Sequence, residues 1–117
     1  MNQIDLGNKK AVITGGAQGI GLAIAELFID SGAKVSLWDR DHKLVNETAS
    51  RLSSKGSVEA VVTDVSDLNS VKDALKKTKE FMGEIDILIC NAGISGPNEK
   101  LWDYPPTEWQ KIMDINV

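Results

Sequence analysis

Thr14-Gly15-Gly16-Ala17-Gln18-Gly19-Ile20-Gly21 stands between a compact apolar run, Ala11-Val12-Ile13, and a segment whose apolar residues recur at helical spacing. The run suits a buried strand, and Ile20, Ala23, Ile24, Leu27 and Phe28 mark the expected inward face of the helix that follows. Between them the glycines have separate uses. One lets the chain reverse, one lets backbone amides approach a pyrophosphate with no side chain in the way, and one lets helix and strand pack closely. The helix start then offers unpaired N–H groups and a partial positive charge to phosphates. A plain strand-to-helix turn would also use glycine. The flanking strand and helix favour a phosphate-binding turn made to hold a dinucleotide.

The same alternation continues outward from this turn. Ser31-Gly32 closes the first helix, Val35-Ser36-Leu37-Trp38 is a second strand closed by Asp39, and Leu44, Val45, Thr48 and Leu52 stripe a second helix ended by Lys55-Gly56. A third strand covers Val58-Glu59-Ala60-Val61-Val62. Ser66 or Asp67 can cap a third helix, with Val71, Ala74, Leu75, Thr78 and Met82 facing inward. Ile85-Asp86-Ile87-Leu88-Ile89-Cys90 is a fourth strand, apolar enough for a central parallel position. Four successive β-α units imply right-handed crossovers and a Rossmann-like α/β fold with helices on both faces. The expected strand order is 3-2-1-4, with the ligand crevice between strands 1 and 4. Loops occupy 94–107, and Trp109, Ile112 and Met113 lie at helical spacing beyond them.

Composition narrows the function classes. The chain has 117 residues, read as one domain over 1–117, and a formal net charge of -4. That balance argues against a nucleic-acid surface, and Lys76, Lys77 and Lys79 read as a solvated helix face. The polar start, Met1-Asn2-Gln3-Ile4-Asp5, does not read as a signal peptide, and no run spans a membrane. Cys90 is the single cysteine, so no internal disulfide is possible; taken with the polar start and the lack of a membrane run, the default reading is a cytoplasmic protein. His42 is the sole histidine and is expected to face solvent, so no metal site is expected.

Further candidate site residues lie at the strand ends. Asp39 stands where an adenosine ribose would lie; its carboxylate can accept from both hydroxyls and repels a 2′-phosphate, which favours NAD over NADP. Arg40 follows and could meet such a phosphate, whereas Gln18 in the turn is not basic. Asp64-Val65 suits an adenine pocket, although Asp64 equally suits a turn or helix cap. Asn91-Ala92-Gly93 follows the fourth strand, where small residues keep the crevice floor open and Asn91 can tie neighbouring backbone together.

In this order and spacing, these features resemble the short-chain dehydrogenase/reductase family over essentially the whole chain. The TGxxxGxG form matches its compact branch; the extended branch would need glycine where Gln18 stands. The resemblance implies that Gly15, Gln18, Gly19, Ile20, Gly21, Asp39, Arg40, Asp64, Val65, Asn91, Ala92 and Gly93 contact the cofactor. It also implies that Asn116, in Asp114-Ile115-Asn116-Val117, helps hold a water of the proton relay.

The family's chemistry needs a tyrosine with a lysine four residues later, and a serine that polarises the carbonyl. The one tyrosine, Tyr104, has Glu108 at that spacing. A carboxylate there would raise rather than lower the phenol's pKa. The chain is therefore expected to be the cofactor-binding half of an oxidoreductase, cut before strands 5–7 and inactive alone, with strand 4 left as an apolar edge. The parent enzyme would transfer hydride between nicotinamide and a secondary alcohol or ketone of sugar, polyol or 3-oxoacyl type, as a homo-oligomer. The alternative is a non-catalytic NAD-binding module. A Rossmann-like methyltransferase is disfavoured, since Asn91-Ala92-Gly93 and the ending have no role there.

Overall fold

The computed structural model describes residues 5–91. Within them the element order is β1 (Lys10–Thr14), α1 (Gly19–Asp30), β2 (Lys34–Asp39), α2 (His42–Leu52), β3 (Val58–Val62), α3 (Leu68–Met82) and β4 (Ile87–Cys90). The strands form one parallel sheet in the order β3-β2-β1-β4, as the alternating pattern requires.

Two apolar layers hold the helices to this sheet. Ile13, Val35 and Leu37 point to one face, where Ala25 and Ile29 of α1 and Val45, Ala49 and Leu52 of α2 cover them. Val12, Trp38 and Val61 point to the other, under Val71, Ala74 and Leu75 of α3. Both faces of β1 and β2 are thus buried, which is why these strands read as apolar runs rather than alternating ones. The α3 layer also carries buried polar groups. Trp38 Nε1 donates to Thr78 Oγ1 (3.0 Å), the Thr78 and Ser36 hydroxyls are 3.1 Å apart, and Ser36 donates to Glu59 Oε2 (3.0 Å).

Two expectations are revised. The inward face of α1 is Gly21, Ala25 and Ile29, with Leu22, Ile24 and Phe28 partly buried, whereas Ile20 is 66% and Leu27 50% exposed. Apolar residues run nearly all round this helix, so helical spacing fits two adjacent stripes. The stripe with the smaller residues near the turn wins because α1 sits close to it. β4 begins at Ile87 rather than Ile85. Asp86 precedes it, accepting from Lys10 N through its side chain (2.9 Å) and donating its own N–H to Lys10 O (2.8 Å). Among the described residues β4 pairs only with β1, so its apolar side chains are half-buried.

The caps follow elementary rules. Asp41 caps α2 by accepting from Leu44 N (3.0 Å), and Asp67 caps α3 by accepting from Asn69 N (3.0 Å). His42 is the exposed first residue of α2, as expected. All five residues expected on the inner face of α3 are buried. Among the described residues, no helix is long and apolar enough to cross a membrane.

Candidate functional site

Register brings the carboxyl ends of the strands into one row: Thr14 lies beside Trp38 and Cys90, and Asp39 beside Val62. Asp39 ends this row, and the Gly15 turn, Asp64 and Asn91 lie just past it. In an open parallel sheet, ligands lie outside the carboxyl ends where connections leave in opposite directions. Here α1 leaves β1 toward β2, while β4 lies on the other side of β1.

The turn is held from several sides. The Gly15 and Gly16 N–H groups donate to Trp38 O at 2.7 and 3.4 Å. Ala17 N donates to Asp39 Oδ2 (3.3 Å), and Ala17 O accepts from the Thr48 hydroxyl (2.9 Å). Asn91 contributes two bonds: its N–H to Thr14 Oγ1 (2.8 Å) and its side-chain amide to Gly15 O (3.2 Å). The Thr14 hydroxyl donates in turn to Ile89 O (3.3 Å).

Gly15 (φ 65°) and Gly19 (φ 62°) adopt the left-handed backbone that side chains disfavour. Gly21 has another reason: a Cβ there would collide with the Gly15 carbonyl and lie 2.7 Å from Asn91 Nδ2. Gln18, extended at φ −158° and ψ 169°, precedes α1 without a side-chain cap, and no acidic residue stands in the first turn. No side chain among the described residues therefore caps the first turn of Gly19, Ile20 and Gly21, an arrangement suited to an anion.

The carboxylates differ in what holds them. Asp39 ends β2, with Oδ2 on the turn and Oδ1 accepting from Asp41 N (3.1 Å). Asp64 Oδ1 accepts from the Ser66 hydroxyl (2.6 Å) and the Ser66 N–H (3.0 Å). Those two bonds, aided by the Arg40 charge, hold the Asp64 carboxyl below the usual carboxylate range. As between a turn and a helix cap, Asp64 makes the turn with Ser66, and Asp67 caps α3. Val65 packs against the α3 layer, and Arg40 is exposed. Ala92, Gly93 and Asn116 lie outside the described residues, as do Tyr104 and Glu108.

Sequence reasoning missed Thr48 and Ser70. Ser70 accepts from Asp64 N (2.9 Å) and steadies the loop after β3. The one signal for Thr48 was a hydroxyl residue on the inward stripe of α2. A cleft of about 430 Å³ opens at the opposite end of the sheet, lined by residues 8–10, 32–34 and 55–57 with Ile29. The turn and Asp39 take no part in it. Lys34 Nζ is directed to Phe81 instead, 3.5 Å from its carbonyl and 4.9 Å from its ring centroid. Among the described residues, no three His, Cys, Asp or Glu side chains cluster as a metal site.

Comparison with known proteins agrees with this geometry. The family described as short chain dehydrogenase matches residues 9–117. An uncharacterized oxidoreductase of Thermotoga maritima is 40% identical over 113 residues, covering 96% of this chain and 44% of that protein. The 2-dehydro-3-deoxy-L-rhamnonate dehydrogenase (NAD(+)) of Sphingomonas sp. is 36% identical over 107 residues, covering 92% of this chain and 42% of its own. Among solved structures, L-sorbose reductase from Gluconobacter frateurii complexed with NADPH and L-sorbose superposes with a TM-score of 0.75 at 38% identity. That match covers 94% of this chain and 42% of the reductase. The chain thus spans less than half the length of these relatives. With the turn, the strand order and a family match that runs almost from end to end, this chain belongs to the short chain dehydrogenase family.

Proposed function

We propose that this chain holds NAD at the carboxyl ends of β1, β2 and β4, as the cofactor-binding part of an oxidoreductase. The observation that carries the reading is the convergence of the glycine turn, the uncapped start of α1, Asp39 and Asn91 on one edge of the sheet. The first-turn amides bind the pyrophosphate, Asp39 accepts from the adenosine ribose, and Asp64 with Val65 borders the adenine. Asn91 holds the crevice floor to the turn, and Ala92 and Gly93 keep it open. Asn116 holds a water for proton transfer.

Asp39 selects NAD over NADP, because a 2′-phosphate would meet a carboxylate there. The Sphingomonas relative carries NAD(+) in its name, while the L-sorbose reductase was solved with NADPH. Selection therefore rests on the residue at the end of β2 rather than on likeness. When bound, the nicotinamide supplies the hydride chemistry, and the chain's residues bind and orient it. The substrate is a secondary alcohol or ketone of sugar, polyol or 3-oxoacyl type, and the whole protein is a homo-oligomer. Calorimetric titration with NAD tests the site: one equivalent per chain is expected, and a folded protein that takes up none contradicts it.

A further inference from the structure

We propose that Thr48 is a positioning residue for the dinucleotide: its hydroxyl orients the Ala17-Gln18 peptide so that the Gln18 N–H faces the bound cofactor. The inference rests on the reading of the turn as a dinucleotide site. Thr48 lies on α2, is 3% exposed, and donates to Ala17 O at 2.9 Å across 31 residues of sequence. A helical threonine ordinarily bonds the carbonyl one turn back. This hydroxyl instead reaches out of its helix to the turn.

The consequence follows from peptide geometry. The described peptides are all trans, so C=O and N–H of one peptide unit point in opposite directions. With Ala17 O directed at α2, the Gln18 N–H is directed away from it. Gln18 is exposed, and its N–H bonds to no group among the described residues. The preceding peptide is fixed as well, because Ala17 N is bonded to Asp39. Both polar groups of Ala17 are therefore held by side chains, one from the end of β2 and one from α2. Asp39 acts beside the ligand, whereas Thr48 is buried behind the turn and acts only through the peptide it holds.

Thr48→Val keeps the shape and removes the donor; Thr48→Ser keeps the donor. NAD titration of the ¹⁵N-labelled chain is expected to move the wild-type Gln18 amide resonance. Thr48→Val should weaken NAD binding by about 3- to 10-fold, the size of one lost hydrogen bond. Thr48→Ser should bind within about twofold of wild type. Wild-type affinity in Thr48→Val, equal losses in Thr48→Val and Thr48→Ser, or NAD binding that leaves the Gln18 amide unmoved would each overturn the proposal. If Thr48→Val does not fold, Thr48→Ser and the wild-type amide response still decide it. A folded wild-type chain that binds no NAD overturns the reading of the site itself.

Discussion

The side-chain amide of Asn91 donates to the carbonyl of Gly15 at 3.2 Å, joining the end of β4 to the glycine turn across 76 residues. Removing it in Asn91→Ala leaves that carbonyl without this donor and should cost about 1 kcal/mol of unfolding free energy. Asn91→Asp should cost more at neutral pH, because a carboxylate would then face the same carbonyl. Urea denaturation of the three proteins checks the order, and equal midpoints for all three would refute it.

Gly21 and Gly19 separate two reasons for glycine. Gly21→Ala drives a methyl into the Gly15 carbonyl and Asn91, an overpacking expected to cost roughly 1–3 kcal/mol and to weaken NAD binding. At Gly19 a methyl meets nothing within 4 Å, so only the left-handed backbone is penalised, by about 1 kcal/mol. Thermal and chemical unfolding should rank Gly21→Ala below Gly19→Ala.

Ile29 and Ile20 test which face of α1 is packed. Ile29→Ala should cost about 2–5 kcal/mol as a core truncation. Ile20→Gln, at a position 66% exposed, should stay within about 0.5 kcal/mol of wild type. The reverse ranking would restore the face expected from spacing alone.

Burial pushes the Glu59 carboxyl above its ordinary 4.5; bonds from Ser36 and Thr78 and the Lys77 charge oppose this, and Glu80 adds to it. An acid whose pKa is higher when folded holds its proton more firmly in the native state. Its contribution is therefore favourable at low pH and is lost as pH rises through the folded value. Glu59→Gln, which still accepts from Ser36, should flatten the fall in stability above pH 4.5. A steeper fall in the variant would show that the charged form is the one preferred when folded.

Strand order, the turn, Asp39 and Asn91 were legible because each depends on local chemistry: apolar runs, glycines between strand and helix, a polar residue at a strand end. The packed face of α1 was not, since an almost wholly apolar helix gives no contrast, and close approach at Gly21 decides it. Asp64 stayed ambiguous because Asp64, Ser66 and Asp67 can each cap or turn, and which oxygen meets which amide is set only by the folded loop. Thr48 and Ser70 were invisible for a related reason. A helical hydroxyl announces itself, but not the distant backbone atom it will reach.

Paired calorimetric titration with NAD and NADP measures the proposed selectivity of Asp39. Wild type should bind NAD at least about tenfold more tightly than NADP, a difference of about 1.4 kcal/mol. Asp39→Ala should weaken NAD binding and narrow that ratio. Equal or tighter binding of NADP by wild type, or a ratio unchanged in Asp39→Ala, would contradict selection by Asp39.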